Sequence, residues 1–301
     1  MPDSNAAAVS VVAANRTASP GLLDALARQS VAAFEVVLVG AAPAGVPEIL
    51  DVRVVDAGTA DPAAARNLGW RAARGSAIAF IDGDCEPAPD WIERLVEAAA
   101  GRETVVVQGR TLPAVSERAG AFAETREVTR LTPHFWANNL LYPRALLERL
   151  DGFDEAYGAA IGSDTDLAWR ARAEGADIEY APDALVHHPV DTRGAGPAIK
   201  AALAAGERVK VFGDHPQLRS ELDRGIFLAP SHALIAQAAL GVWLARRKRA
   251  ALLFTVPYLA HVARRAHVAG APEAAPMLVA HDALELAATI AGAIRHRTPV
   301  I

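Results

Sequence analysis

The sequence lacks several features that would place it in common protein classes. It has a single cysteine, Cys85, which excludes an internal disulfide framework and fits a reducing compartment such as the cytosol. No G-x-x-x-x-G-K-[ST] segment occurs, so a P-loop is excluded. The first apolar run is not followed by a G-x-G-x-x-G turn, which disfavours a Rossmann oxidoreductase. The net charge of -5 gives no case for nucleic-acid binding, and residues 1–8 do not have the pattern of a secretory signal.

Short apolar runs alternate with segments of helical spacing in the N-terminal part. The predicted strands are residues 9–13, 34–40, 52–55 and 78–81, and the predicted helices are residues 22–29 and 63–73. Asp61 and Pro62 precede the second helix, where an N-cap and a first helical residue belong. The alternation predicts βαβ units and a largely parallel sheet.

The most informative stretch is the apolar run 78–81, which ends in Asp82-Gly83-Asp84. Ligands of open α/β sheets bind beyond the carboxyl ends of the strands. Two carboxylates there are stabilised by a divalent cation that carries a phosphorylated ligand, because Mg²⁺ and Mn²⁺ prefer such oxygen donors. A solvated Asp-Gly turn that ends the strand is the alternative.

Several motifs occur together in an order that resembles the family 2 glycosyltransferases of GT-A fold. The resemblance covers residues 8–193. Its motifs are residues 65–69, 73–75, 82–84, 137–139, 150–155, 162–170 and 182–188. It implies a GT-A fold, a mostly parallel central sheet flanked by helices, and transfer of a sugar from a nucleotide-diphosphate donor with inversion of configuration.

The resemblance also implies the residues of the donor site. Donor-binding positions are Ala13, Asn15, Arg66, Asp82, Gly83 and Asp84, and the ligands of a Mn²⁺ or Mg²⁺ ion are Asp84 and His188. Asp82 corresponds to the position that reaches the ribose or base. Taken alone, Arg66 equally fits a solvated helix face, and His188 equally fits an ordinary satisfied polar residue.

Acceptor residues are implied in the second half of the motif set. The general base corresponds to Asp164, and acceptor-binding positions are Trp136, Asn138, Asn139 and Asp166. The alternatives are capping of a helix for Asp164, because helix N-termini favour carboxylates, and core packing for Trp136. Residues 152–155 lead into a segment that we expect to act as a flexible lid.

Two positions depart from the family pattern. Ser163 stands where an acidic residue usually precedes the base, which weakens a two-carboxylate acceptor site. Residues 40–43 (Gly-Ala-Ala-Pro) replace the acidic residue that reads the nucleobase, so uracil, thymine and guanine all remain open.

The C-terminal third has no acidic residue in residues 224–272. It contains the basic clusters Arg246–Arg249 and Arg264–Arg265 and the apolar runs 226–245 and 250–263. A single membrane crossing would separate the first cluster from a catalytic domain that needs cytoplasmic nucleotide sugars. We therefore expect these helices to lie on the inner leaflet, with packing on the catalytic domain or on a dimer partner as the alternative.

These patterns predict a catalytic domain over residues 1–222 and a membrane-associated or oligomerising helical region over residues 223–301. The expected enzyme is cytoplasmic, peripheral on the inner face of the cell membrane, and acts on a lipid-linked or cell-envelope glycan. A degenerate GT-A module that binds nucleotide sugar without catalysis is the alternative. A nucleotidyltransferase is disfavoured because no Gly-rich loop follows the first strand.

Overall fold

The computed structural model describes residues 8–41, 43–114, 120–123, 125–158, 162–192 and 194–301, with the backbone alone at residues 15–17. Contacts divide the chain into two compact units. Unit 1 contains Met1–Ala114 and Thr125–Pro189, and unit 2 contains Val115–Glu124 and Val190–Ile301. The division after Pro189 precedes the boundary expected from the sequence, because helical segments between residues 195 and 214 contact the C-terminal helix.

Unit 1 is built on one mixed sheet. Its strands are β1 (Val9–Thr17), β2 (Glu35–Ala41), β3 (Val52–Val55), β4 (Ala77–Ile81), β5 (Glu86–Pro87), β6 (Val105–Pro113), β7 (Asn139–Pro143) and β8 (Asp177–His188). Their order is β3-β2-β1-β4-β7-β6-β8-β5. Strands β3, β2, β1 and β4 are parallel, β7 is antiparallel to both its neighbours, and β5 is antiparallel to β8.

Helices cover both faces of this sheet. They are α1 (Pro20–Ala27), α2 (Pro62–Ala72), α3 (Trp91–Ala99), α4 (Arg144–Leu150) and α5 (Ser163–Ala173). One apolar cluster joins alternate strand residues to α1 and α3, and a second joins the intervening residues to α2, α4 and α5. Because both faces are buried, the strands read as continuous apolar runs. The predicted α/β class, with helices flanking a central sheet, is confirmed.

Several local predictions are also confirmed. The Asp61 side chain accepts a hydrogen bond from the backbone N–H of Ala64, and Pro62 begins α2. Strand β4 begins one residue before the predicted strand and ends at Ile81 as expected. Strand β1 extends beyond the predicted end at residue 13, because it continues to Thr17, which pairs with Ala41 after a register shift.

A buried polar network fixes the chain just before β4. The Ser10 hydroxyl donates to Glu35, and the backbone N–H and the guanidinium of Arg74 donate to the same carboxylate. The Ser10 hydroxyl also accepts from the N–H of Gly75 at 2.8 Å. Burial opposes ionisation of Glu35, but the hydrogen bonds from Ser10 and Arg74 outweigh it, so its pKa lies below its usual range.

We expect Glu35→Gln to lower the free energy of unfolding by about 2 kcal/mol at pH 7, since a charge-assisted network is lost. Because the folded-state pKa is lowered, the carboxylate of Glu35 stabilises the fold fully above its ordinary pKa of 4.5, and this stabilisation is lost as pH falls through the folded-state pKa. Urea unfolding should therefore show the difference between wild type and variant narrowing in acid. Asp51→Asn, which removes an exposed partner of Arg74, is the control and should change stability by less than about 0.5 kcal/mol. A pH-independent difference would contradict this account.

Unit 2 is helical in its described part. Its α-helices are α6 (Ala195–Leu203), α7 (Val209–Asp214), α8 (Pro230–Leu244), α9 (Val256–Val268) and α10 (Ala275–Arg295). Four 3-10 helices accompany them, at Ala205–Arg208, Pro216–Glu221, Arg249–Thr255 and Pro272–Ala274. A small apolar core joins Ala238 of α8, Tyr258 and Val262 of α9, and Leu278 of α10.

By length and composition alone, Pro272–Arg295 is apolar enough to cross a membrane, and it is the one such helix among the described residues. Its carboxylates, however, are tied to other parts of unit 2. Asp282 is 1% exposed and bonds Arg265 and Tyr258, while Glu285 lies 3.5 Å from the buried imidazole of His232. These contacts identify α10 as a packed helix of this unit.

The two apolar runs expected from the sequence form shorter helices than their lengths suggest. Helix α8 has 15 residues, and the second run is divided between the 3-10 helix Arg249–Thr255 and α9. Neither is long enough to span a bilayer as a straight helix.

Candidate active site

The turn after β4 is held by backbone hydrogen bonds. The N–H of Cys85 donates to the carbonyl of Asp82 at 3.1 Å, and the N–H of Ser19 donates to the carbonyl of Gly83 at 2.6 Å. Ser19 is also the N-cap of α1. The turn therefore has a fixed backbone, while the side chain of Asp82 is partly exposed and that of Asp84 is exposed.

Strand pairing brings His188 to this turn. Strand β5 follows the turn directly, and its Glu86 pairs with His187 at the end of β8. As a result, ligand atoms of Asp82, Asp84, Cys85 and His188 all lie within 4.8 Å of one another. The His188 Nε2 atom is 4.0 Å from the Asp82 carboxylate. The structure thus brings together the two residues predicted to bind metal.

The donor atoms of this cluster fit a hard or borderline divalent cation. Two carboxylates and one imidazole suit Mn²⁺ or Mg²⁺. Burial, reinforced by the charges of Asp82 and Asp84, raises the pKa of the Cys85 thiol. The thiol is therefore neutral at physiological pH and forms a wall of the cluster rather than a nucleophile.

Arg66 points from α2 into the same cluster. Its guanidinium is 3.5 Å from the Asp82 carboxylate, and its central carbon lies 5.7 Å from the ring centre of Phe153. The side chain is only 14% exposed, which excludes a solvated helix face. In this position the positively charged guanidinium of Arg66 can contact a phosphate group bound next to the carboxylates.

The predicted donor edge continues onto β1. Ala13 is buried and pairs with Leu38 on one side and with Ile81 on the other, so this part of β1 lies beside the end of β4 that precedes the carboxylate turn. Ala13 has no polar side chain, and its only means of binding is its backbone. Asn15 lies further along β1, and its side chain is outside the described part.

Asp164 lies in the first turn of α5 and is 7% exposed. One carboxylate oxygen accepts from the N–H of Ala137 at 3.2 Å, and the other accepts from the N–H of Thr165 at 3.0 Å. Ala137 precedes β7 by two residues, and β7 begins at Asn139 opposite Ile81 of β4. Strand pairing therefore ties Asp164 to the edge of the sheet that carries the carboxylate turn.

Residues 20–162 match the family model described as "Glycosyl transferase family 2". This match, over just under half of the chain, confirms the resemblance read from the motifs and supports a transferase.

Similar proteins carry related names. The chain is 30% identical over 176 residues to "Pre-mycofactocin glycosyltransferase" of Mycobacterium tuberculosis, covering 54% of this chain and 37% of that protein. It is 28% identical over 182 residues to "Succinoglycan biosynthesis protein ExoM" of Rhizobium meliloti, covering 56% of this chain and 57% of that protein. The chain thus spans roughly a third to three fifths of these relatives.

A solved structure shares the fold over nearly the whole chain. It is a mannosyltransferase from Pyrobaculum calidifontis in complex with GDP-Man and Mn²⁺, with a TM-score of 0.54 and 22% identity. The alignment covers 97% of this chain and 87% of that one.

Asp166, a predicted acceptor residue, makes a structural ion pair. Its carboxylate accepts from the guanidinium of Arg170 at 2.7 Å, and Arg170 in turn donates to the carbonyls of Leu150 and Gly152. Asp166 and Arg170 line a cavity of about 520 Å³. Asp166 therefore positions the segment after α4.

Asn139, also assigned to the acceptor by resemblance, belongs to the framework instead. Its side chain is 1% exposed, accepts from the indole of Trp91, and donates to the carbonyls of Arg110 and Ala184. Both amide protons are thus used within the sheet. Its neighbour Asn138 donates to the Thr111 hydroxyl.

Trp136 is not a core residue in the structure. It is partly exposed, its ring stacks at 12° on that of His134, and the Arg126 guanidinium lies 5.2 Å from its ring centre. A partly exposed aromatic face suits the apolar side of a sugar. The packing alternative considered for Trp136 does not hold.

The start of the expected lid is firmly held. The side chain of Asn67 bonds both the N–H and the carbonyl of Phe153, and Phe153 packs edge-on against Phe80 at 5.1 Å. Tyr157 is 3% exposed. These contacts hold the chain that leads into the expected lid, and residues 159–161 lie outside the described part.

Sequence reasoning missed the segment that follows residue 124. The Thr125 hydroxyl donates to the carbonyls of His188 and Pro189, and Val128 pairs with Thr111. The Arg126 guanidinium of this segment lies 5.2 Å from the ring centre of Trp136. No local motif marks this segment, because its position depends on β6 and β8.

Proposed function

We propose that the protein is an inverting, metal-dependent glycosyltransferase that moves a sugar from a nucleotide-diphosphate donor to an acceptor hydroxyl. The observation that carries this proposal is the meeting of Asp82, Asp84 and His188 at the carboxyl end of β4, with Arg66 beside them. The match of residues 20–162 to the glycosyl transferase family 2 model supports the reaction class.

The donor side of the reaction is assigned to this cluster. Asp84 and His188 would hold the cation, and Asp82 would reach the ribose or base. When bound, such a cation neutralises charge on the diphosphate leaving group as a Lewis acid. Arg66 adds a fixed positive charge beside the same phosphates. The mannosyltransferase of similar fold was solved with Mn²⁺, which makes Mn²⁺ the first ion to test.

Asp164 is the proposed general base. It would accept the proton of the acceptor hydroxyl as that oxygen bonds the anomeric carbon, while the bond from the anomeric carbon to the diphosphate oxygen breaks. The leaving group carries away the electron pair, and direct displacement inverts the anomeric configuration. The backbone bonds from Ala137 and Thr165 hold the carboxylate in one orientation.

The proposed acceptor is a cell-envelope or lipid-linked glycan at the cytoplasmic face of the membrane. A relative named for succinoglycan biosynthesis supports a glycan acceptor. Trp136 offers an aromatic surface for it, and Asn138 is the neighbouring polar side chain. Asn139 is not included in this role, because its amide group donates to the carbonyls of Arg110 and Ala184.

A panel of nucleotide sugars tests the proposal. Purified protein would be incubated with uridine, guanosine and thymidine diphosphate sugars, with Mn²⁺, with Mg²⁺ or with chelator. We expect one of the donors to raise the melting temperature of the protein and to be hydrolysed slowly. Both effects should occur only when Mn²⁺ or Mg²⁺ is present. Stabilisation without hydrolysis or transfer to any glycan fraction would favour the degenerate binding module. No response to any donor would refute the proposal.

His188→Ala tests the second metal ligand. A water molecule can replace one imidazole, so we expect the apparent Mn²⁺ affinity in the hydrolysis assay to fall by about 10-fold to 100-fold while activity returns at high Mn²⁺. His187→Ala is the matched control, because His187 is adjacent in β8 but is not part of the cluster. Equal effects of the two substitutions would show that β8 was disturbed generally.

A further inference from the structure

The region of unit 2 between α8 and α9 combines exposed apolar side chains with unpaired basic ones. Between Asp223 and Glu273 the sequence has no carboxylate side chain. Helix α8 ends at Leu244, the basic residues Arg246–Arg249 follow, and the chain returns through the 3-10 helix Arg249–Thr255 into α9. We call this region the α8–α9 corner, residues 240–259.

Gly241 allows the corner to close tightly. A Cβ atom on Gly241 would lie 2.7 Å from the Cβ of Phe254 and 2.8 Å from the carbonyl oxygen of Ala251, which no side chain tolerates. The 3-10 helix is therefore pressed against α8 by its backbone. Leu252, Leu253 and Phe254 of this 3-10 helix are nevertheless exposed.

The outer side of the corner is apolar and exposed. Its exposed large apolar side chains, each 46% to 71% exposed, are Leu240, Val242, Trp243, Leu252, Leu253, Phe254, Val256 and Leu259. The opposite face of α9, with Tyr258, Val262 and Ala266, is buried in the core of unit 2. Concentrated exposure of this kind marks a surface that binds something.

The basic residues of the α8–α9 corner indicate what binds to this surface. Arg246, Arg247, Lys248 and Arg249 are all exposed, and no carboxylate pairs with them in the described part of the chain. An anionic bilayer can bind both kinds of side chain. Its headgroups carry negative charge that attracts the basic side chains, and its hydrocarbon layer takes up the apolar ones. A tryptophan at the boundary between the two, such as Trp243, is typical of a membrane interface.

A second copy of the chain is a poorer occupant. A two-fold contact through the corner would bring two copies of the same four-charge cluster together, and like charges oppose such contacts. The α10 helix is a poorer membrane element, because Asp282 and Glu285 are paired inside unit 2.

We propose that the α8–α9 corner docks the protein onto an anionic membrane surface, inserting the side chains around Trp243 and Leu253 while Arg246–Arg249 contact the headgroups. The docking proposal rests on the proposed function in one respect, namely that the acceptor is located at the membrane. The docking itself needs no catalytic activity.

Sedimentation with phosphatidylglycerol vesicles tests the charge contribution. Replacing Arg246, Arg247, Lys248 and Arg249 together by Gln should weaken binding by about 100-fold or more at low salt, and added salt should weaken wild-type binding in the same direction. Vesicles of neutral phosphatidylcholine should bind wild type far less.

The apolar contribution has its own variants. Leu253→Ser should weaken vesicle binding by about 10-fold or more. Val268→Ser is the matched control, because Val268 is 79% exposed but lies about 18 Å along α9 from Val256, and it should leave binding unchanged. Lipids brominated in their acyl chains should quench wild-type fluorescence more than that of Trp243→Phe.

The outcomes separate docking from catalysis. Donor hydrolysis is measured on the same samples and should be unchanged in all corner variants. Normal hydrolysis with no affinity for anionic vesicles overturns the docking proposal alone, and vesicle binding without hydrolysis of any donor overturns the proposed function alone. A detergent-free dimer that Leu253→Ser dissociates, with no vesicle binding, would identify the corner as a self-interface and also overturn the proposal.

Discussion

Asp84→Asn should abolish measurable sugar transfer and remove the Mn²⁺ dependence of donor binding while leaving the fold intact. The amide that replaces the carboxylate carries no charge, so a main anionic ligand of the cation is lost and the diphosphate repels the remaining carboxylate of Asp82. Because the Asp84 side chain is exposed and the turn is held by its backbone, the substitution should not unfold unit 1.

Calorimetric titration of the donor with and without Mn²⁺ measures this effect. Asp183→Asn serves as control, because Asp183 is an exposed aspartate of β8 outside the cluster and should behave as wild type. The assignment of Asp84 as a metal ligand would be wrong if Asp84→Asn transferred sugar at the wild-type rate, or if the wild-type protein kept full activity in excess chelator.

Asp164→Asn should reduce kcat by about 100-fold or more with little change in donor affinity, the usual effect of losing a general base. The structure adds a consequence that the motif alone does not give. Both carboxylate oxygens accept backbone N–H groups, from Ala137 and Thr165, and an amide can satisfy only one of them. We therefore also expect a loss of about 1–3 kcal/mol in stability, because one buried donor is left unpaired.

Two measurements separate these effects. Single-turnover rates over a range of pH should lose their basic-side rise in Asp164→Asn, which a purely structural role would not cause. Asp166→Asn is the comparison: it breaks the ion pair with Arg170 but leaves the proposed base in place, so its rate should fall less. A parallel loss of donor binding in Asp164→Asn would assign the residue to the nucleotide site.

The sequence predicts local features of the fold well. The N-cap at Asp61, the first helical proline at Pro62 and the buried run that ends at Ile81 all depend on neighbouring residues, and all three are found. The carboxylate turn is predicted for the same reason. Its position at the end of β4 follows from where the apolar run stops.

The features that the sequence does not predict depend on contacts between distant segments. The resemblance identifies His188 as a metal ligand, but the pairing of the two-residue strand β5 with β8, which brings His188 to the turn, leaves no pattern in the sequence. Asn139 serves the framework because Trp91, Arg110 and Ala184 converge on it. A sequence motif indicates which residues are candidates for a site, whereas only the folded structure shows which atoms their side chains contact.

The C-terminal region shows the same division. The absence of acidic residues and the basic cluster can be read directly from the sequence, but apolar runs alone overstate the helix lengths. The close contact of Gly241 with the returning chain, and the identity of the apolar side chains that stay exposed, are seen only in the structure. The sequence predicts only that the C-terminal helices associate with a membrane, whereas the exposed apolar side chains point to the α8–α9 corner as the part that does so.

Anomalous diffraction at the manganese absorption edge, from crystals soaked with Mn²⁺ and the nucleoside diphosphate of the preferred donor, tests the central claim most directly. We predict one strong peak in contact with the Asp84 carboxylate, the His188 imidazole and the diphosphate oxygens. A nucleotide bound at the end of β4 with no manganese between it and Asp84, or a manganese peak away from this cluster, would contradict the account.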